Sequence, residues 1–184
     1  YTADATLRNL FRSSEYHNSL LINGESMSVP DGPFSWKSVA NTRLLGLESS
    51  NSRTMVSAET DGFERIGTKF RRSIEFQPGD RVVVTDEINA RSASGFDLRF
   101  ILAPDVDARL LGDSVTLHIG TFENTLVLTG RCYIEGENVV DGPKWSAENV
   151  HFSPIYGKLM AAKALNLRFR AEGSMRLRTV FSWE

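Results

Sequence analysis

Cysteine is almost missing from this sequence: Cys132 is the only one among 184 residues. A single thiol closes no internal disulfide and builds no multi-cysteine zinc site. Histidine is nearly as rare, with His17, His118 and His151 alone. No HxH, HExxH or paired-cysteine spacing occurs, so no metal and no cofactor is expected. The nucleophile elbow G-x-S-x-G and a Gly-rich phosphate loop are also missing. No apolar run approaches the roughly 18 residues of a membrane span, and no signal-peptide pattern is present. The chain opens on Tyr1 and not on Met, as a fragment, a processed product or a trimmed chain does. Excess charge of one sign is lacking too. Lys and Arg number 21 against 23 Asp and Glu, giving a net charge of −2 and a pI of about 6.0. A nucleic-acid clamp, which depends on surplus basic charge, is excluded.

What is present describes one folded domain. Apolar residues make 41% and charged residues 24%, ordinary values for a globular chain and wrong for a disordered one. Sixteen Arg stand beside five Lys; this suits carboxylate and sulfate recognition, and an Arg-rich genome gives the same bias. The periodicity is that of strands. Ser19 to Ile22 is a short apolar run that stops at Asn23-Gly24, a type I′ hairpin pair. Lys69 to Phe76 alternates, Pro78-Gly79-Asp80 ends it, and Arg81 to Ile88 follows as a Val-rich buried strand. Phe96 to Leu102, Ser114 to Ile119, Asn124 to Thr129 and Met175 to Phe181 read the same way, with turns expected at Asp61-Gly62, Gly112-Asp113 and Asp141-Gly142. Asp4 to Phe11 offers a turn or two of helix, Lys158 to Leu165 reads as a strand or irregular edge, and Glu48 to Ser52 as a solvated loop. The fold expected is all-β, an antiparallel β-sandwich of two packed sheets over residues 1–184.

Candidate chemistry gathers at one place. In Phe11-Arg12-Ser13-Ser14-Glu15-Tyr16-His17-Asn18, a guanidinium, a phenol, an imidazole and an amide crowd together before a strand. Each can donate to an anionic or polyhydroxylated ligand, and His17 can also exchange a proton near neutral pH. The competing reading is a strand entry whose polar groups cap the backbone. His118, in an alternating strand, and His151 read as structural. Trp36 and Trp145 lie beside Gly-Pro pairs and are expected near strand ends, either as sugar platforms or as plugs of the sandwich.

The run FRSSEYHNSLLINGE, followed by DGPFSW, resembles the opening of the C-terminal β-sandwich domain of heparinase II/III-like polysaccharide lyases. The likeness continues in Asp61-Gly62-Phe63, Arg71-Arg72-Ser73-Ile74, Val83-Val84-Thr85-Asp86, Ser153-Pro154-Ile155-Tyr156-Gly157 and Thr179-Val180. It implies the second half of a bacterial two-part enzyme, whose α/α-toroid domain is absent from this chain. Such enzymes cleave uronic-acid-containing polysaccharide by β-elimination. The uronate carboxylate is neutralised, a base takes the C5 proton, and an acid protonates the departing O4. By motif, His17 matches the histidine that the sandwich contributes. The expected substrate contacts are Arg12, Tyr16, Asn18, Trp36 and Arg72, with Tyr16 and Tyr156 as further base candidates. Zinc-carrying relatives place histidines where Ser19 and Phe70 stand here, so no metal is expected. The implied partners are an acidic polysaccharide and the toroid, with neither nucleic acid nor a membrane span, and the implied location is periplasmic or secreted. The alternative is a non-catalytic sandwich that binds acidic glycan or serves as a docking domain.

Overall fold

The computed structural model describes residues 4–121, 124–155 and 157–183. Its elements in chain order are helix α1 (Ala5–Arg12), a 3-10 turn at Ser14–Tyr16, and strands β1 (Leu20–Ile22), β2 (Val29–Asp31), β3 (Ser35–Ser38), β4 (Thr42–Ser49) and β5 (Thr54–Thr60). A second 3-10 turn at Glu64–Ile66 precedes β6 (Thr68–Gln77), β7 (Arg81–Ile101), β8 (Val106–Leu111), β9 (Ser114–Thr121), β10 (Asn124–Phe152) and β11 (Met160–Trp183). Among the described residues, nine strands form one antiparallel sheet in the order β4-β5-β6-β7-β11-β10-β9-β8, with β1 added to β7; β2 and β3 form a separate hairpin. This is an all-β sandwich.

Its two layers share strands, and the pairing register proves it. In the ladder Phe181 lies opposite Val82, whereas Phe100 lies 18 residues further along β7, opposite Leu165. A straight strand would hold these rings about 60 Å apart. Their centroids are 5.4 Å apart, edge to face. The long strands therefore fold over, and the irregularities mark the crease. Register shifts fall between Ala171 and Gly173 in β11 and at three points from Gly136 to Lys144 in β10. Gly173 takes φ +80°, a left-handed conformation that side-chain-bearing residues rarely adopt. Asp141-Gly142, expected as a turn, is part of this crease and stays inside β10. Leu98, Leu165, Leu167, Leu177 and Phe63 are buried between the layers.

Local expectations resolve in physical terms. Asn23 and Gly24 both have positive φ, +52° and +78°, as a type I′ turn needs, and Ile22 bridges Glu25 across it. Asp4 caps α1 by accepting the Leu7 N–H at 3.0 Å. Lys158 to Leu165 leads into β11, which begins at Met160 and pairs at once with β10, so ladder pairing outweighs its helix-forming composition. The polar run Glu48 to Ser52 straddles the end of β4 and the turn into β5, so only its second half is loop. Trp145 is not at a strand end. It sits within β10 opposite Leu167, 6.3 Å from Phe100 and 6.4 Å from Phe181. Its large apolar area seals the two layers. Tyr156 lies outside the described residues.

Candidate functional site

The polar run after α1 is tied down residue by residue. Ser14 is buried; its hydroxyl accepts the Met27 N–H at 3.0 Å, and its N–H donates to Ser26 Oγ at 2.8 Å. Tyr16 meets Phe11 edge-on at 4.9 Å and packs over Val150, Ala162 and Ala164. The phenol ring is thus a packing element as well as a possible hydroxyl donor. Ser19 passes into β1, accepting the Arg99 N–H at 2.8 Å.

Between these anchors His17 is held with its ring at the surface. It ends the 3-10 turn in extended conformation, and Nε2 lies 3.1 Å from the Phe11 carbonyl oxygen. A carbonyl only accepts, so Nε2 is the donor in this bond. Among the described residues Nδ1 has no partner. The imidazole is therefore oriented by one hydrogen bond and exposed.

Arg12 faces the other way, onto the β2–β3 hairpin. It donates to the carbonyls of Gly32 at 2.8 Å, Pro33 at 3.3 Å and Ser35 at 2.7 Å, and its guanidinium lies 4.0 Å above the Trp36 ring. The acceptors are neutral, and Arg12 meets no carboxylate among the described residues. A full positive charge accordingly stands one residue from Phe11, the partner of His17. Trp36 is 40% exposed, its ring backed by Arg12.

Asn18 is exposed, with both of its oxygens engaged. Its Oδ1 accepts the Ile101 N–H at 2.6 Å, and its carbonyl accepts from Arg72 Nη1 at 2.6 Å. Arg72 is committed further: Nε and Nη2 grip the two oxygens of Asp86 at 2.6 and 3.1 Å. Asp86 is fully buried; burial pushes its carboxyl upward in pKa, and Arg72 pulls it back. Sequence reading missed Asp86 as a site member. Its signal was an acid on the same parity as Val84 and Ile88 in an otherwise apolar strand.

The structure thus brings Arg12, Tyr16, His17 and Asn18 into one segment, joins Trp36 through Arg12, and joins Arg72 through Asn18. His118, in β9 between Asp107 and Val127, and His151, opposite Ala161, lie on other strands. The residues where zinc-carrying relatives place ligands do not suit a metal. Phe70 is core, and Ser19 is buried with its hydroxyl directed at Met27 Sδ, 3.9 Å away. The Cys132 thiol is pushed up to about 11 by burial, so it is no nucleophile at neutral pH.

A groove of about 790 Å³ is a separate feature on the outer face of the sheet. A transverse row crosses it: Arg43, Glu59, Arg71, Glu87, Arg176 and Glu135, one from each of six adjacent strands. The signs alternate and neighbours pair, Arg176 with Glu87 at 2.8 Å among them. These charges mainly satisfy one another and fix the strand register.

The sequence matches the family described as "Heparinase II/III-like, C-terminal" over residues 1–184. No curated protein matches it. Among solved structures, the heparan sulfate lyase HepC from Pedobacter heparinus superimposes with a TM-score of 0.76 at 14% identity, covering 98% of this chain and 26% of that one. A heparinase III does so with 0.72 at 18% identity, covering 98% and 25%. The chain spans about a quarter of those proteins, and at such identities the likeness is one of fold. With a family match running from the first residue to the last, the chain belongs to the heparinase II/III-like C-terminal family.

Proposed function

We propose that this domain is the sandwich half of a polysaccharide lyase that cleaves uronic-acid-containing polysaccharide by β-elimination, with His17 as the group it gives to the cleft. The observation that carries this reading is the His17 ring, oriented through Nε2 and open at Nδ1. An imidazole so held can take the C5 proton, or pass a proton toward O4, without first losing a protein hydrogen bond. Arg12 supplies positive charge for a uronate or sulfate group, and Trp36 an apolar face for the sugar ring. Asn18 fixes the backbone beside His17. The remaining acid–base groups belong to an α/α-toroid partner domain. The heparan sulfate lyases of the same fold make sulfated uronate polymers the first substrates to try. Polymers of that kind lie outside cells, so the domain works in the periplasm or after secretion.

The test is His17→Ala in a full-length lyase carrying this domain, with turnover followed by absorbance of the unsaturated uronate product. Loss of about a hundredfold or more, with an unchanged melting temperature, is expected for a missing acid–base group. Near-normal turnover in a well-folded His17→Ala protein would end the catalytic reading and leave a glycan-binding or docking domain. The isolated chain should show no turnover, because the base and the carboxylate neutraliser must converge on one sugar.

A further inference from the structure

The ion pair of Arg72 with Asp86 is costly where it stands. Asp86 has no exposure and Arg72 little, and both come from strands that line the core. Burying such a pair returns little stability compared with apolar side chains of similar size. Arg72 spends two of its nitrogens on Asp86 and turns a third, Nη1, outward to the Asn18 carbonyl at 2.6 Å. That carbonyl belongs to the Asn18–Ser19 peptide, one residue beyond His17. The Asn18 side chain continues the chain of contacts to the Ile101 N–H, and the next carbonyl, Ser19, holds the Arg99 N–H.

We propose that Arg72 and Asp86 are a positioning pair, with Asp86 fixing the Arg72 fork so that Nη1 brackets the Asn18 peptide and sets where His17 stands. This rests on the reading of His17 given above only for its consequence in catalysis; the bracket itself is a claim about this chain. It also gives Arg72 a different task from direct contact with substrate. A lysine at position 72 could pair with Asp86 as a point charge, but it lacks the fork that reaches two partners in fixed directions.

Two variants test it in the chain as it stands. Arg72→Met with Asp86→Leu fills the same core volume without charge, and Arg72→Lys keeps the charge without the fork. The readouts are amide hydrogen exchange at Ile101 and the His17 ring nitrogen resonances. Both variants should keep the protection of β11 core amides while exchange at Ile101 rises about tenfold, the size of one lost hydrogen-bonded bracket. The His17 ring signals should move in both. Wild-type exchange at Ile101 and unmoved His17 signals in a folded variant would overturn the proposal. If the double variant does not fold, Arg72→Lys decides by the same measurements. In a full-length lyase, Arg72→Lys should lower kcat and leave KM nearly unchanged. If His17→Ala leaves turnover intact while Arg72→Lys still frees the Ile101 amide, the catalytic reading of His17 falls and the positioning pair stands.

Discussion

Arg12→Ala should detach the β2–β3 hairpin without unfolding the sandwich. The hairpin is a two-stranded sheet of its own, and a pair of strands that short is marginal unless something else holds it. Arg12 provides two well-formed bonds, at 2.8 Å to Gly32 and 2.7 Å to Ser35, a longer one to Pro33, and the contact over Trp36. Each good bond contributes about 1 kcal/mol net and the cation–π contact about 0.5–1 kcal/mol at an exposed site. The carbonyls that lose Arg12 regain water, so the net loss is about 2 kcal/mol, or roughly a thirtyfold rise in the open fraction of the hairpin. Hydrogen exchange read at single amides measures this directly. Amides of 29–38 should exchange about thirtyfold faster, and those of β7 and β11 should not change. Arg12→Lys should recover part of the protection, since an ammonium can reach one carbonyl. Unchanged hairpin protection in folded Arg12→Ala would show that Arg12 neither anchors the hairpin nor holds the Trp36 ring in place.

Two further outcomes follow from burial. The Cys132 thiol stays neutral in the fold up to about pH 11, whereas its ordinary pKa is 9.0. Stability should therefore hold below pH 9 and fall as pH rises toward 11, by about 2–3 kcal/mol at most; Cys132→Ala should remove that part of the alkaline slope in urea melts, and an identical slope would refute it. At Gly130 an added Cβ would meet Val115 at 2.7 Å and the Phe181 ring at 2.8 Å. Gly130→Ala should cost about 1–3 kcal/mol by overpacking, and an unchanged denaturation midpoint would show that the layers yield there.

The strands were legible where alternation is local. Lys69 to Phe76, the Asn23-Gly24 turn and the short helix after Asp4 all fall within a residue or two of their expected places. What alternation cannot reveal is continuity. Arg81 to Ile88 and Phe96 to Leu102 belong to one strand, because the exposed stretch Arg91 to Ala93 is a bulge: pairing with β11 stops at Ala90 and resumes at Ser94. Asp141-Gly142 carries turn chemistry but is spent on a bulge, where the same backbone freedom serves a bend instead of a reversal. For the candidate site, Arg12, Tyr16, His17 and Asn18 stand together in the sequence as neighbours, whereas the structure turns Arg12 onto the β2–β3 hairpin. The links to Trp36 and Asp86 run through Arg12 and Arg72 across 24 and 14 residues, which no local pattern encodes.

Because β7, β10 and β11 run through both layers, the sandwich has no seam along which one layer can slide over or part from the other. Each layer is the other's covalent continuation. Melting one layer strips the other of its partner strands, so the domain should lose structure in a single cooperative step. Most of its pairings join residues far apart in sequence, such as Leu128 with Trp183. Chain closure over such distances must precede the contacts that reward it, which makes folding slow. A frame of this kind resists shear, so a side chain anchored on either layer keeps its place relative to the other.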